Sequence, residues 1–446
     1  MVVLTVMGAL AGSAWAQDAA GLVTKVPLAD RIILSNVDRA FVLICAFMVF
    51  IMQGGFCLLE LGMARAKNCI NVVMKNLLDF AVAALVFLIG FVFMFGPTQG
   101  GWVGFGGFEY LVDPATNPDL WVFLVFQMMF VGTASTIASG AMAERTGFVG
   151  YLCFTVVLSL VIYPVIGHWA WGSGAGSFGF GGSAGWLEEK GFLDFAGSTV
   201  VHGVGGACAL AGVLVVGPRR GRFAADGTPR LIVGHNLPFA ALGTFLLWFG
   251  WFGFNAGSNL TSGVSATGPE LGGIVLNTVI APAVGAITAM ISLWIVDGRP
   301  DVNIALNGAL AGLVSITAGC NVVPPLAALA IGMIGGLVTT FGGILLEKMR
   351  IDDVVSAVPV HLFAGIWGTL AVGLFHRNGF DSSLLTTQAT GCLSMCLAAF
   401  IAAFIVFKLI DLTIGLRASD DDQEDGLDFA EHSATGYPDF VTIDQD

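Results

Sequence analysis

The chain contains two copies of an aspartate followed eight residues later by a histidine. Asp194 precedes His202 in DFAGSTVVH, and Asp353 precedes His361 in DVVSAVPVH. Both copies lie in long apolar segments, where an ionisable side chain is costly and therefore indicates a function. Two neutral imidazoles can accept a proton, donate a hydrogen bond to a lone pair, or relay a proton. The alternative is two separate histidines that are satisfied by helix contacts.

The composition indicates that lipid is the solvent of this chain. The 446 residues are 56% hydrophobic and only 11% charged, whereas a soluble domain is about 25% charged. Of the 31 acidic residues, ten lie after Arg417, so the net charge of −13 owes much to the C-terminal tail. There is no basic patch for nucleic acid and no CxxC pair among the eight cysteines. We therefore expect no zinc site, no other metal and no cofactor.

Long apolar runs predict an all-α polytopic membrane protein with eleven transmembrane helices. The predicted spans are 38–62, 76–96, 119–143, 148–172, 194–216, 235–258, 270–296, 303–319, 323–346, 353–376 and 385–415. The placement of basic residues agrees with this count, because 13 of the 18 fall on one side of the membrane. The same bias predicts an outer N-terminus and a cytoplasmic C-terminus.

The two copies of the motif divide the spans into repeats of opposite orientation. The fifth span runs inward and the tenth runs outward, as in an inverted repeat of five plus five helices with one extra helix. The predicted segments are a cleaved signal peptide at 1–16, an extracytoplasmic segment at 17–37, repeat 1 at 38–216, repeat 2 at 217–376, helix 11 at 385–415 and an acidic cytoplasmic tail at 416–446. The signal peptide rests on an A-x-A site ending at Ala16. Its alternative is a short membrane helix.

The inverted repeat predicts that the two histidines meet. Eight helical residues rise about 12 Å, and half of the hydrocarbon core is about 15 Å thick. His202 and His361 therefore reach the midplane from opposite faces, where a pseudo-two-fold axis would bring them together. Asp194 and Asp353 are expected to start their helices, where a carboxylate accepts hydrogen bonds from free backbone N–H groups.

Aromatic side chains in three other spans are placed to form an outer site. Trp251, Phe254 and Ser258 lie at i, i+3 and i+7, on one face of the sixth span. Phe130 lies in the third span at a depth where it can meet Phe254, and two tryptophans end the fourth span in GHWAWGSG. Each alone is typical of an aromatic belt or a helix core. Together they can form a cation–π cup for a small cation.

These motifs resemble those of the ammonium transporter family (Amt/Mep/Rh). The similar stretches are DFAGSTVVH, GWFGFNAGS, AMAER, DDVVSAVPVH and the tail sequence GLRASDDDQEDGLDFAEHSATGYPDF, and they extend over about residues 38–440. The resemblance implies a transporter or channel rather than an enzyme. It also implies a homotrimer with a pore through each subunit, in a bacterial inner membrane. A PII-type regulatory protein would be a cytoplasmic partner of the tail, whose alternative is a solvated, partly disordered segment.

The resemblance also implies roles for the residues of the outer site. Trp171, Phe130 and Ser258 would recruit ammonium, with Trp169 as the rival of Trp171. Phe130 and Phe254 would stack as a hydrophobic gate.

Deeper residues take further roles from the same resemblance. Trp251 would line the pore below the gate, and His202 and His361 would be the twin histidines. Asp194 and Asp353 would give structural support.

Electrostatics favours passage of the neutral species. Burying an isolated cation costs tens of kcal/mol by the Born estimate. Ammonium would therefore lose its proton before or at the gate, and ammonia would pass the histidines, which would relay the proton separately. One rival is an ammonium sensor that binds without substantial transport. A membrane enzyme is a second rival, although the sequence contains no HExxH motif.

Overall fold

The computed structural model describes residues 35–98, 100–111, 118–178, 180–262 and 271–438. Over these ranges the chain is helical, and its only β contacts are two isolated bridges. The apolar helices are α1 Asn36–Met63, α2 Ala66–Phe95, α3 Pro118–Ala141, α4 Phe148–Trp171, α5 Ser198–Val216, α6 Leu237–Gly257, α7 Leu271–Asp297, α8 Val302–Thr317, α9 Pro325–Lys348, α10 Val358–Phe375 and α11 Ser382–Thr413. Ten are long enough to cross a membrane, and α8 is shorter.

The predicted all-α fold class is confirmed, because each of the eleven predicted spans overlaps one of these helices. The signal peptide predicted at 1–16 and most of the segment 17–37 lie outside the described residues. The boundaries of the two repeats and of the tail stay predictions.

Helix α2 begins ten residues before the predicted span 76–96. The prediction was wrong because Lys75 and the polar residues before it interrupt the apolar pattern there. In the fold Lys75 is buried and bonded, as is its neighbour Asn76. Lys75 Nζ donates to the carbonyl oxygen of Thr146, and Asn76 Nδ2 donates to Glu60 at 2.9 Å.

The spans expected to start at Asp194 and Asp353 start later. Helices α5 and α10 begin four and five residues after these aspartates, and each opens with a π-helical turn. Three residues after each aspartate the backbone is left-handed, with φ of 114° at Gly197 and 62° at Ser356. The eight-residue spacing is therefore not eight residues of α-helix. It is instead the same turn followed by the same wide helical turn in both copies.

Close approach of α1 to α6 depends on glycine. These are the first helices of the two predicted repeats, and they pack along each other. A Cβ atom at Gly55 would lie 2.9 Å from the carbonyl oxygen of Gly243, and one at Gly243 would lie 2.5 Å from that of Gly55. Small residues at such positions let two membrane helices approach closely.

Buried ion pairs tie together the loops at the end of the bundle where the tail lies. Asp352 accepts two hydrogen bonds of 2.9 Å from the guanidinium of Arg219, which also pairs with Glu144 at 2.6 Å. Burial alone would raise the pKa of the Asp352 carboxyl, but Arg219 and Arg145 hold it well below its usual range. The network fixes the loop that carries Asp353, next in sequence.

The tail folds against this end of the bundle, which we call the tail side. It forms two short helices, α12 Asp420–Asp425 and α13 Leu427–His432. Asp428 accepts a hydrogen bond of 2.8 Å from the backbone of Asn71, and Tyr437 bonds to His235 at 2.9 Å. The described residues after α11 therefore contact the bundle, while side chains such as Glu424 stay exposed. The solvated, partly disordered tail stays the alternative prediction.

Candidate functional site

The two histidines of the repeated motif lie in direct contact. The Nδ1 atoms of His202 and His361 are 3.2 Å apart, and the rings are nearly parallel at 22°. Both side chains are buried. Because the contacting atoms are of the same kind, one ring must carry the proton and the other must accept it.

Aromatic rings continue from this pair along one line. Phe254 stacks on Phe130 with ring centroids 4.1 Å apart and lies 5.5 Å from the ring of His202. The ring of Trp251 stacks on the ring of His202 with centroids 4.9 Å apart. The indole N–H of Trp251 donates to the hydroxyl of Thr317 at 2.8 Å. The predicted gate and pore-lining residues thus form one continuous column of rings above the histidines.

The structure separates the two rival tryptophans. Trp171 lies edge-on to Phe130 at 6.2 Å and donates its indole N–H to the carbonyl of Asp194 at 2.7 Å. Trp169 packs instead on Trp102, to whose carbonyl it donates at 2.9 Å. Trp171 is therefore the tryptophan that extends the column.

Ser258 lies one turn beyond Phe254 and is only half-buried. Its hydroxyl donates to the Phe254 carbonyl at 2.9 Å. The oxygen lone pairs remain available as acceptors, so this hydroxyl can receive a hydrogen bond from a cation at the outer end of the column.

The two aspartates accept hydrogen bonds from the backbone at the starts of α5 and α10, and they do not bond to the histidines. Asp194 accepts four backbone hydrogen bonds of 2.8–3.0 Å, which come from Gly197, Ser198, Thr199 and Val200. Asp353 accepts two such bonds, of 3.0 and 2.7 Å, from Ala357 and Val358. Burial raises the pKa of Asp353 to about 6 against the opposing effect of these donors. Each carboxylate satisfies N–H groups that a helix start leaves free.

A small cavity lies on the tail side of His361. Its lining is Phe56, Leu59, Glu60, Ile137, Asn307, Leu310, Val355, Ala357, Val360 and His361. It has room for about one molecule of the size of water. His202 is not among these described lining residues, so the cavity continues the column beyond the histidine pair.

Sequence reasoning missed Glu60, the carboxylate of this cavity. It lies inside the apolar run of α1 and is 1% exposed. An acidic residue within a predicted span is itself a signal of function. The signal was available and was obscured because Glu60 lies only three residues before the end of the helix.

The arrangement suits a small polar molecule that changes its charge on the way. Aromatic faces and a hydroxyl at one end attract a cation. The stacked rings exclude water, and the imidazoles beyond them offer hydrogen bonds to a neutral species. Among the residues that the structure describes, no group of three or more His, Cys, Asp or Glu side chains is arranged to hold a metal ion.

These features define a polytopic membrane protein with a buried histidine pair that continues a stack of aromatic rings. The model of the Ammonium Transporter Family matches residues 40–437, and the chain belongs to this family. Relatives include the ammonium transporter Amt2 of Archaeoglobus fulgidus, which is 44% identical over 434 residues, 91% of this chain and 89% of that protein. The ammonium transporter Amt1 of Haloferax mediterranei is 37% identical over 92% of this chain and 81% of that protein. The family consists of transporters and channels rather than enzymes.

A solved structure of the same fold is named Sensor Amt Protein. It is 39% identical, superposes with a TM-score of 0.83, and covers 89% of this chain and 98% of that one. The name concerns that protein.

Proposed function

We propose that this chain transports ammonium by recruiting the cation at an outer aromatic site, removing its proton, and conducting ammonia past a twin-histidine pore into the cytoplasm. The observation that carries the proposal is the column of rings that ends on the buried contact of His202 with His361. A closed aromatic stack that leads to a neutral hydrogen-bonding pair suits ammonia and opposes a permanent cation.

Recruitment is assigned to Trp171, Phe130 and Ser258. Two ring faces supply cation–π attraction, worth about 0.5–2 kcal/mol according to how far the cation is desolvated. The half-buried hydroxyl of Ser258 supplies an acceptor for an ammonium N–H. A bare alkali ion of similar size cannot form this directional hydrogen bond.

The stacked pair of Phe130 and Phe254 is the proposed gate. Ring centroids 4.1 Å apart leave no space for a hydrated ion between the faces. A cation that entered without water would lose its hydration free energy, which the rings repay only in small part. The ammonium therefore gives its proton up at the gate to the imidazole of His202, whose ring lies 5.5 Å from that of Phe254. Ammonia passes when the gate rings move apart.

The histidine pair is the proposed route for the released proton. When His202 accepts a proton, its contact with His361 lets the second ring take over a proton while the first returns to neutral. Ammonia and the proton travel separately and recombine beyond the pair, so the net reaction moves one ammonium ion, and its single positive charge, across the membrane. Transport by this route is electrogenic.

We also propose a homotrimer in a bacterial inner membrane, with the N-terminus outside and the tail in the cytoplasm. The observation that supports this orientation is the bias of basic residues toward the tail side, because cytoplasmic loops carry an excess of Lys and Arg. The packed tail offers a surface to a PII-type regulatory protein, which stays a proposal.

An ammonium sensor is the second candidate function. It is favoured by the likeness to the structure named Sensor Amt Protein, at 39% identity. A sensor would bind ammonium at the outer site and transmit its occupancy without substantial flux.

Uptake into proteoliposomes, measured beside binding, separates the two candidates. We expect ammonium uptake well above that of protein-free liposomes, and its reduction in Phe254→Trp, which fills the gate. Saturable binding without uptake in the wild-type protein would contradict transport and support the sensor.

A further inference from the structure

We propose that Glu60 is the proton acceptor on the tail side of the histidine pair, and that it returns the proton to ammonia in the cavity that it lines with His361. The inference rests on the proposed function and assigns the step at which ammonium is re-formed. It concerns a residue to which neither the sequence pattern nor the column of rings gives a role.

The first observation is the position of the cavity. Glu60 and His361 both line it, and it holds about one molecule of the size of water or ammonia. The Nδ1 atom of His361 is engaged with His202, so the Nε2 atom is the one that can serve a molecule on the tail side. A molecule in this cavity is thus held between an imidazole and a carboxyl group.

The second observation is the way in which the Glu60 carboxyl group is held. It accepts hydrogen bonds at Oε2 from Asn76 at 2.9 Å and from Ser139 at 3.1 Å. No residue that the structure describes donates to Oε1. One oxygen therefore fixes the group in place, and the other is available to the cavity for a proton or for a cation.

The third observation is an acceptor in the same cavity that lacks a partner. The Asn307 amide lines the cavity, and its Oδ1 atom is buried without a hydrogen-bond partner among the described residues. A buried acceptor normally has a partner, because leaving it unpaired costs about 1–3 kcal/mol. Ammonium carries four N–H donors, so the Asn307 oxygen and a Glu60 carboxylate together match the product of re-protonation.

The proposed step balances in protons and charge. Protonated His361 gives its proton to the Glu60 carboxylate, which leaves a neutral imidazole and a neutral carboxylic acid. The acid then gives the proton to ammonia in the cavity, which yields ammonium and restores the carboxylate. The only reactants are the ammonia and the proton that the histidine pair already conducts.

A second buried carboxylate shows what a purely structural acid looks like in this bundle. Both oxygens of Asp79 accept hydrogen bonds, from Tyr151 and Thr155 at 2.8 and 3.0 Å and also from Ser135. Asp79 is not among the described residues that line the cavity. It is therefore the matched control for burial of a carboxyl group.

The test compares Glu60→Gln with Asp79→Asn in proteoliposomes. Glutamine keeps an oxygen for Asn76 and Ser139 but cannot exchange a proton. We expect E60Q to keep its size-exclusion profile and to lose at least about tenfold in ammonium-evoked current, since positioned acid–base groups contribute about 10²–10⁴-fold. The pH profile of the current between pH 5 and 8 should differ between E60Q and the wild-type protein, whereas D79N should keep the wild-type profile.

Wild-type current and wild-type pH dependence in correctly folded E60Q would overturn the role of Glu60 and leave the proposed function intact. Ammonium uptake without any current in the wild-type protein would instead contradict the histidine relay, and the role of Glu60 with it. Should E60Q fail to fold, Glu60→Asp can be compared with Glu60→Asn. These two side chains have equal length, and only the aspartate can exchange a proton. Equal currents in that pair would overturn the proposal.

Discussion

The Nδ1 atoms of His202 and His361 lie 3.2 Å apart, and each histidine belongs to a π-helical turn that follows an aspartate and a left-handed residue. The contact is thus made by two equivalent pieces of backbone that approach from opposite ends of the bundle. π-helical turns occur often at functional sites, because the wider turn re-aims the side chains it carries. The pairing of the histidines depends on these turns as much as on the imidazoles.

Removal of one gate ring should lower selectivity. In Phe254→Ala the stack on Phe130 is lost, and an alkali cation no longer has to pass between two ring faces. We expect potassium-driven current in proteoliposomes to rise by at least about tenfold, because the barrier it faces is mainly a desolvation barrier. Phe154→Ala is the matched control, since Phe154 stacks on Phe407 at 3.9 Å in a pair away from the histidines. Equal potassium currents in F254A and wild type would contradict the gate.

The outer site should distinguish two neighbouring tryptophans. Trp171→Leu removes the ring that lies against Phe130, and we expect the half-saturating ammonium concentration to rise about 2- to 30-fold, which corresponds to a cation–π contribution of about 0.5–2 kcal/mol. Trp169→Leu should leave this concentration unchanged, because Trp169 packs on Trp102. Ammonium titration of the transport rate measures both. A larger effect of W169L than of W171L would reverse the assignment.

The Asp194 carboxylate should matter for stability. It accepts four backbone hydrogen bonds at the start of α5. In Asp194→Ala these four N–H groups stay buried but lose their acceptor. We expect a loss of roughly 2–5 kcal/mol in the free energy of unfolding, seen as a lower apparent melting temperature in detergent. Asp194→Asn keeps one acceptor oxygen and should lose less. Equal melting temperatures for wild type and D194A would show that the carboxylate is not the anchor of this helix.

The Asp352–Arg219 ion pair should make the fold sensitive to acid. The folded pKa of Asp352 is depressed below its usual range, so its stabilising contribution is complete above an ordinary aspartate pKa of about 3.9 and is lost as the pH falls toward the folded value. Asp352→Asn breaks a buried pair and should lower stability at pH 7 by about 3–5 kcal/mol. The difference in melting temperature between wild type and D352N should shrink from pH 6 to pH 3. A constant difference would contradict this role.

Much of the fold could be predicted because lipid imposes a simple rule on the chain. Eleven apolar runs became eleven helices, most of them with ends within a few residues of the prediction. The missed start of α2 has a clear cause, which is that partners distant in sequence satisfy polar groups that look like a boundary. Lys75 and Asn76 lie inside α2 because Thr146 and Glu60 accept their hydrogen bonds, and no local pattern reveals such partners.

The part of the candidate site that could be predicted is the part whose position follows from the inverted repeat. Opposite directions of the two motif copies were enough to expect His202 near His361. The left-handed residue at Ser356 was not predictable, because most non-glycine residues disfavour that conformation and only tertiary contacts maintain it. A role for Glu60 likewise could not be inferred before the cavity was seen, because one acidic residue near a helix end looks like part of a loop.

The measurement that tests the account most directly is the ammonium-evoked current of the double variant His202→Ala/His361→Ala in proteoliposomes. His168→Ala is the control, because His168 is also buried but bonds to the carbonyl of Met94 at 2.6 Å, away from the pair. We predict a wild-type current that H168A retains and the double variant loses by at least about tenfold, as expected when a proton-relaying group is removed. A current that survives unchanged in the double variant would contradict the histidine relay.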